Sequence, residues 1–111
     1  MGSDVPKLSI IIPALNEAAT LSEVLPELRS RFAEAEIIVV SDGSTDNTAA
    51  ICDRNGCRCI RNPYRMGNGA SIKRGVRAAR GHTLAMMDGD GQHRASELAK
   101  LWKRFSSEDL D

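Results

Sequence analysis

The residues best suited to binding or catalysis lie at 87–93, where the sequence is Met-Asp-Gly-Asp-Gly-Gln-His. Asp88 and Asp90 flank Gly89 at the end of a short apolar run. Two carboxylates this close repel each other unless a cation lies between them. A sparse site made only of oxygen ligands suits Mg²⁺ or Mn²⁺, and a substrate diphosphate would complete the coordination shell. The segment therefore predicts a divalent metal site that holds a diphosphate, with a solvated acidic turn as the alternative.

A second polar segment, residues 41–46, follows the apolar run at 37–40. The carboxylate of Asp42 can accept a hydrogen bond from a nucleotide base or a ribose, and Gly43 lets the backbone approach a ligand closely. The same residues also fit a plain turn in which Thr45 or Asp46 caps the next helix. The segment leaves a ligand contact and a structural turn as alternatives.

A third polar segment, residues 13–17, follows the first apolar run. Pro13 should end a strand there, and Asn16 or Glu17 should lie at the start of a helix. Taken alone, this segment is best explained by helix capping.

Gly67 and Gly69 precede a helical pattern, and a glycine-rich helix start is a ready anion site because its N–H groups point outward. The segment is not a dinucleotide-binding G-x-G-x-x-G sequence, because Ile72 stands where the third glycine would be. Basic residues gather nearby and predict either a solvated basic surface or a phosphate-facing one. They are Arg58, Arg61, Arg65, Lys73, Arg74, Arg77 and Arg80.

The hydrophobic pattern predicts the elements that position these segments. Strands are expected at 8–12, 36–41, 57–61 and 83–87, and helices at about 17–33, 46–55, 69–80 and 95–105. The near-continuous apolar run at 37–40 indicates a strand buried on both faces, as in parallel sheets. Strands that alternate with helices predict an α/β fold, with a Rossmann-like parallel sheet in three α/β/α layers. Ligands of such sheets bind beyond the carboxyl ends of the strands.

The first helix has two local signals of its own. Thr20 and Glu23 have the spacing of a capping box, which predicts a helix start near Thr20. Pro26 predicts a kink, or a restart of the helix at that point.

Composition limits the kinds of partner. The 111 residues suit one domain, and 15 basic residues balance 15 acidic ones. A net charge of zero gives no broad field for nucleic acid, so local groups must hold any anionic ligand. Cys52, Cys57 and Cys59, in a sequence without a signal peptide, predict free thiols in a reducing, cytoplasmic compartment. No apolar run approaches the ~18 residues that cross a bilayer.

Taken together, these segments resemble the family 2 glycosyltransferases of GT-A fold, in the branch of dolichyl- and undecaprenyl-phosphate sugar transferases. The similar stretches are 11–17, 39–46, 67–70 with Lys73 and Gly75, and 87–93. They occur in the family's order and span nearly the whole chain. The resemblance implies that residues 1–111 are the nucleotide-sugar-binding, N-terminal half of a GT-A domain, truncated before the acceptor side.

The resemblance also implies roles for individual residues. Pro13, Ala14 and Glu17 would line the nucleotide pocket, and Asp42 would contact the base. Asp88 and Asp90 would form the D-x-D motif, with Asp90 on the metal that bridges the donor diphosphate. The remaining residues implied to bind the nucleotide sugar are Gly67, Gly69, Lys73 and Gly89.

Three positions depart from the family pattern. Ser41 replaces a frequent first Asp, Asn68 replaces a frequent Lys, and Arg94 replaces a common Pro. The first change bears on base recognition. The second leaves neutralisation of the diphosphate more dependent on the metal.

The implied activity is inverting transfer of a sugar from a UDP- or GDP-linked donor to an acceptor, with Mg²⁺ or Mn²⁺ as cofactor. The implied acceptor is a polyprenyl phosphate, which would bring the longer protein to the inner face of a membrane. We expect the 111 residues alone to be inactive, because acceptor contacts are missing, and to form a homodimer through the apolar surface left uncovered.

Other classes of protein stay open at this point. A nucleotide-binding module without transfer activity fits the same residues. A sugar nucleotidyltransferase shares the architecture but would have a glycine-rich signature after the first strand, where residues 13–17 have none. A dinucleotide-dependent oxidoreductase would need G-x-G-x-x-G at that place.

Overall fold

The computed structural model describes residues 6–87. Strands and helices alternate in it, and the described strands form one parallel sheet of order β3-β2-β1-β4. The elements are β1 Leu8–Ala14, α1 Ala18–Arg31, β2 Glu36–Ser41, α2 Thr48–Arg54, β3 Arg58–Arg61, α3 Asn68–Ala78 and β4 Thr83–Met86. The predicted α/β class with a Rossmann-like parallel sheet is confirmed. The helix predicted at 95–105 lies outside the described residues.

The two central strands, β1 and β2, are buried on both faces. Side chains alternate between the faces of a strand, so each strand contributes to two cores. On one face Ile10, Ile12, Ile37 and Val39 pack with the buried residues of α1 and α2. On the other face Ile11, Ile38 and Val40 pack with the end of α3. The predicted three layers are therefore present, with α1 and α2 on one side of the sheet and α3 on the other.

Gly75 sets how closely α3 approaches the sheet. A Cβ atom at this position would overlap Cγ2 of Ile11 and would lie 3.3 Å from Cγ2 of Val40. Both neighbours are fully buried, so neither has space to move away. The helix consequently rests with its backbone against the sheet.

Two predicted boundaries are wrong. β1 does not end at Pro13 but continues to Ala14, with Pro13 in register with Val40. The pairing of β1 with β4 covers only Leu8–Ile11, so the missing N–H of Pro13 lies beyond that ladder, where a proline is tolerated.

The start of α1 is the second correction. The helix begins at Ala18 and not near Thr20, because the Ala18 N–H donates to Oδ2 of Asp46 at 3.0 Å. A carboxylate from another loop thus replaces the local capping box. The helix also continues through Pro26 to Arg31 without a restart. None of the helices within residues 6–87 has the length and hydropathy of a membrane span.

Candidate functional site

The carboxyl ends of the four described strands lie side by side along one edge of the sheet, here called the carboxyl edge. The chain order changes direction between β1 and β4, because β1 leads outward to β2 and β3 on one side and β4 lies on the other. Open α/β sheets bind ligands at such a switch point, outside the carboxyl ends. A ligand is therefore expected at the loops after β1, β2 and β3 and at the chain after β4.

The loops after β1 and β2 are joined by hydrogen bonds through Asn16. Its N–H donates to Oγ of Ser44 at 3.0 Å, and its Oδ1 accepts from the N–H of Thr45 at 2.8 Å. Asn16 has a φ of 51°, a left-handed conformation in which asparagine is enriched. The Asn16 side chain thus fixes the distance between the two loops.

Asp46 strengthens the same junction by capping two helices. Its Oδ2 accepts from the first N–H of α1, at Ala18, and its Oδ1 accepts from the N–H of Thr48 at 3.2 Å and from the Thr48 hydroxyl. The Thr48 hydroxyl bond is the main cause that lowers the pKa of Asp46, because it stabilises the ionised form against burial. The capping role that the sequence allowed for Asp46 is confirmed, and it extends to α1.

Asp42 is the most heavily bonded carboxylate at the carboxyl edge. The residue is only 6% exposed, and its own N–H donates to the carbonyl of Ala14. Oδ1 accepts from Nδ2 of Asn62 at 2.9 Å and from the N–H of Met66 at 2.6 Å, and Oδ2 accepts from the N–H of Gly67 at 2.9 Å. These bonds fold the loop after β3 back over the end of β2.

The charge state of Asp42 follows from these contacts. Burial disfavours the ionised form, but hydrogen bonds from Met66, Asn62 and Gly67 outweigh it and hold the pKa below its ordinary value of 3.8. A carboxylate offers about four lone-pair positions, and three are occupied here. The remaining position, on Oδ2, is the one through which Asp42 could still accept a hydrogen bond from a ligand.

Asn62 is a site residue that the sequence reasoning did not find. It connects Asp42 to α3, because its Nδ2 also donates to Oγ of Ser71 at 2.9 Å and its Oδ1 accepts from Nη1 of Arg74 at 2.5 Å. Its position beside Asp42 follows from the register between β2 and β3, which the sequence alone does not give. Ser41 pairs with Arg61 at the ends of β2 and β3, so the next residues of both strands had to be neighbours.

Gly43 allows this loop to lie close to the end of β2. It has a φ of +80°, and a Cβ atom there would lie 3.3 Å from the backbone nitrogen of Arg65. The close approach inferred for Gly43 from the sequence is thus made by the chain's own loop.

The start of α3, at Gly67, already contacts a negatively charged group of the protein, the carboxylate of Asp42. Gly67 has a φ of +96° and donates its N–H to Asp42, so the carboxylate of Asp42 lies where the N-terminus of α3 favours negative charge. Gly69, in the first turn of the same helix, has open space around it, since a Cβ atom there would have no neighbour within 4 Å. Lys73 is exposed one turn further along α3.

The remaining predicted nucleotide residues belong to the loop after β1. Pro13 and Ala14 are buried at the end of the strand, and Oε1 of Glu17 accepts from the N–H of Leu15 at 3.3 Å. These three residues and Asp42 are therefore brought to one edge by the parallel pairing of β1 with β2.

Two of the basic residues lie at the opposite end of the sheet. Nη1 of Arg58 and Nε of Arg80 each lie 3.1 Å from Oε2 of Glu36, the first residue of β2. Burial of Glu36 opposes its ionisation, but hydrogen bonds from the Arg80 backbone, Ser9 and both arginines lower its pKa. For Arg58 and Arg80 the phosphate-facing alternative is therefore wrong, since they neutralise a buried carboxylate.

A cavity of about 1030 Å³ lies at this same opposite end, lined in part by Arg29, Glu36, Arg58 and Arg80. The guanidinium of Arg29 donates to the carbonyls of Ala35 and Gly56, at 2.8 and 2.9 Å. The polar groups of the cavity are thus largely bonded to one another and to the backbone. The direction of the strands, rather than cavity size, places the functional edge at the carboxyl ends.

The acidic pair lies outside the described residues. The last described contact is that of Met87, whose N–H donates to the carbonyl of Ile11 at 3.0 Å. The chain therefore enters Asp88, Gly89 and Asp90 from a point beside β1. Within residues 6–87, no group of three or more His, Cys, Asp or Glu side chains could hold a metal ion.

The sheet order and the linked loops at its carboxyl edge define an α/β domain of the GT-A type. A mannosyltransferase of Pyrobaculum calidifontis, solved with GDP-Man and Mn²⁺, has this fold: its TM-score is 0.69 at 24% identity, over 77% of this chain and 28% of that one. Glucosyl-3-phosphoglycerate synthase of Mycobacterium tuberculosis, solved with Mn²⁺, UDP and glucosyl-3-phosphoglycerate, gives 0.66 at 29% identity, over 76% and 33%.

Residues 9–111 match the family described as Glycosyl transferase family 2, and the chain belongs to this family. A dolichyl-phosphate beta-glucosyltransferase of Trichomonas vaginalis is 34% identical over 113 residues, which cover 89% of this chain and 34% of that protein. The chain spans about a third of the length of this relative and of others like it.

Proposed function

We propose that this chain forms the donor-binding part of a glycosyltransferase that moves a sugar from a nucleoside diphosphate to a polyprenyl phosphate. The observation that carries the proposal is the set of cross-linked loops at the carboxyl edge. Asn16, Asp42 and Asp46 join the loops after β1, β2 and β3 into one wall beside the point where the chain enters the acidic pair.

Binding of the nucleotide is assigned to this wall. Pro13, Ala14 and Glu17 would contact the nucleoside, and Asp42 would accept a hydrogen bond from the base through its remaining lone pair on Oδ2. The rigidity of the wall supports this assignment, because loops already held in place lose little freedom when a ligand binds.

The diphosphate is assigned to the other side of the switch point. Asp88 and Asp90 would hold Mg²⁺ or Mn²⁺, and the bound cation would stabilise the charge that develops on the leaving diphosphate. Gly69, Lys73 and Gly89 would complete the phosphate contacts, through N–H groups and one ammonium group. The N–H of Gly67 already donates to Asp42, so Gly67 would contribute by shaping the start of α3. The presence of Mn²⁺ beside UDP in the mycobacterial synthase supports a divalent cation here.

The acceptor assignment rests on the curated relative that acts on dolichyl phosphate. A phosphate acceptor is anionic at neutral pH and can attack the anomeric carbon with little help from a general base. What the protein must supply is in-line placement of acceptor and leaving group. This assignment concerns the longer protein, because the chain covers about a third of that relative.

Titration calorimetry tests the donor site directly. UDP and GDP should bind in the presence of Mn²⁺, and EDTA or the Asp90→Ala substitution should weaken binding by at least ~10-fold, the loss expected when a charge-assisted contact disappears. Asp53→Ala is the matched control. Asp53 is exposed near the end of α2, next to Asn55 and Gly56, which line the cavity at the end of the sheet opposite the carboxyl edge. Equal affinity with Mn²⁺ and with EDTA would remove the metal from the proposal, and no binding of either nucleotide would overturn it.

A further inference from the structure

Three thiols lie close together on the side of the sheet that α1 and α2 cover, and the proposed function uses none of them. Cys52 is fully buried on α2, Cys57 is buried just before β3, and Cys59 is the second residue of β3. Cys52 and Cys57 belong to the core on this side, and Cys59 packs against it. Because β3 is an outer strand of the described sheet, Cys59 stays partly open to solvent.

The three sulfur atoms have different partners. Sγ of Cys57 accepts a hydrogen bond from Nη2 of Arg29 at 3.9 Å and donates to the carbonyl of Asn55 at 3.5 Å. The thiol of Cys52 donates instead to Sγ of Cys59. The sulfurs therefore form one pair and one separate thiol. They do not form a metal site, since the described part of the chain has no group of three such ligands that could hold an ion.

The shared hydrogen bond gives the two thiols of the pair opposite tendencies. Donation from Cys52 is the main cause that lowers the pKa of Cys59 to about 7, against the effect of burial. Arg61 lowers it further, from a position two residues along β3 and so on the same face of the strand. The same hydrogen bond and burial raise the pKa of Cys52. Cys59 is thus the thiol that ionises near neutral pH, while Cys52 beside it keeps its proton.

We propose that Cys59 is a modification site for small-molecule disulfides, such as oxidised glutathione, and that Cys52 resolves the adduct into a Cys52–Cys59 disulfide. The Cys59 thiolate attacks one sulfur of the reagent, forms a mixed disulfide and releases a glutathione thiolate. Sγ of Cys52 then attacks Sγ of Cys59, and its proton goes to the second glutathione as that leaves. Two protein thiols are oxidised and one disulfide is reduced to two thiols. Reduced glutathione reverses both steps, as expected of a redox-sensing thiol in a reducing compartment.

The backbone around the pair favours this bond. The N–H of Cys57 donates to the carbonyl of Cys52 at 2.9 Å, and Gly56, with a φ of +66°, lies in the turn between α2 and β3. The chain is thus brought back beside Cys52 before β3 begins. Only six residues separate Cys52 from Cys59 in the sequence, so the bond would join neighbouring segments and not distant ones.

Peptide mapping after oxidation identifies the sulfurs that are joined. Trypsin cleaves after Arg54 and Arg58, so the three cysteines fall in three different peptides. The folded chain is treated with oxidised glutathione at neutral pH, the remaining thiols are blocked with iodoacetamide, and the digest is analysed by mass spectrometry without reduction. The peptides of Cys52 and Cys59 should be linked, Cys57 should be found blocked, and reduced glutathione should remove the link. A link that includes Cys57, or no link at all, would overturn the proposal.

Serine substitutions separate the two steps. Cys52→Ser keeps a hydroxyl that can donate to Cys59 but removes the resolving sulfur, so the reaction should stop with one glutathione on Cys59. Cys59→Ser should form neither the adduct nor the link. Cys57→Ser is the matched control, and it should form the link as fast as the wild type. Circular dichroism shows whether each variant is folded, and the mapping of the wild-type chain needs no variant.

The rate distinguishes a built site from ordinary thiol reactivity. A pKa of about 7 in place of 9.0 gives about 50-fold more thiolate at neutral pH, and the lower nucleophilicity of such a thiolate offsets about ten-fold of this. Cys59 in the folded chain should therefore form the adduct about five-fold faster than the cysteines of the urea-unfolded chain. Equal rates would contradict the proposal. Failure of nucleotide binding would overturn only the proposed function, because this reaction needs no nucleotide.

Discussion

Substitution of Asp42 by asparagine is the most informative single change, because it keeps the shape of the side chain and removes its charge. Two of its bonds, from Asn62 and Met66, end on Oδ1, and the bond from Gly67 ends on Oδ2. An amide oxygen at the Oδ1 position would keep two bonds, now to a neutral acceptor. The amide nitrogen would then face the N–H of Gly67, donor against donor.

The structure gives the size of the effect. Conversion of two charge-assisted bonds to neutral ones costs about 1 kcal/mol each, and the unsatisfied N–H of Gly67 costs a further ~1–3 kcal/mol. The sum of about 3–5 kcal/mol is a large part of the ~5–15 kcal/mol that stabilises a domain. We expect Asp42→Asn to lower the thermal midpoint by more than ~10 °C. Asp53→Asn, an exposed change of the same type on α2, should leave it within a few degrees.

The pH dependence provides a second, independent measurement. Because the pKa of Asp42 is lowered in the folded chain, its stabilising contribution is complete above the unfolded value and is lost as pH falls through the folded value. The stability difference between wild type and Asp42→Asn, measured by urea unfolding, should therefore be largest at neutral pH and shrink well below pH 3.8. Asp46 and Glu36 also have lowered pKa values, but they contribute equally to both proteins. A difference that is small at neutral pH, or unchanged in acid, would refute the role given to Asp42.

Two further substitutions and one labelling experiment test other parts of the structure. Gly75→Ala should destabilise the chain by about 1–2 kcal/mol in urea unfolding, since overpacking against Ile11 exceeds the gain in helix propensity. Gly69→Ala is the control and should not destabilise the chain, because its Cβ would have open space around it. Equal effects of the two substitutions would contradict the close packing at Gly75. Glu36→Gln should cost about 1–2 kcal/mol in the same assay, less than Asp42→Asn because its arginine partners are 46% and 66% exposed; a loss as large as that of Asp42→Asn would show that this estimate is wrong. Cys59 should react first with iodoacetamide, because a hydrogen bond from Cys52 and the nearby Arg61 lower its pKa to about 7; peptide mass spectrometry that finds Cys52 or Cys57 modified as fast would contradict this.

The sheet was predictable because its evidence is local. The run Ile37 to Val40 is apolar at every position, and burial on both faces, typical of a parallel strand, follows from that alone. Strand β2 was predicted with its observed bounds, and the other boundaries within residues 6–87 differ by one or two residues, apart from the missed strand continuation at Pro13 and the start of α1. Both errors have one cause: a contact from a neighbouring strand or loop overrides a local signal.

The site was predictable in position but not in its bonding. The rule that ligands of α/β sheets bind beyond the carboxyl ends selected the segments around Glu17, Asp42 and Gly67, and the fold brings these segments to one edge. The register between β2 and β3 determines two features of the site. It lets Asp42 bind the loop after β3, and it places Asn62 beside Asp42. A single sequence does not contain that register. The roles of Asp88 and Asp90 stay predictions.

The double cap at Asp46 has a consequence for how the molecule opens. One carboxylate caps two helices, so the first turns of α1 and α2 cannot fray separately without loss of the same bonds. With Asn16 and Asp42, it connects three loops that are far apart in the sequence into one cooperative unit for hydrogen exchange. The amides at Ala18, Thr48 and Met66 should then exchange at a common rate. A nucleotide bound at any one of these loops would slow hydrogen exchange of the amides in all three loops, because the carboxyl edge would open as one cooperative unit.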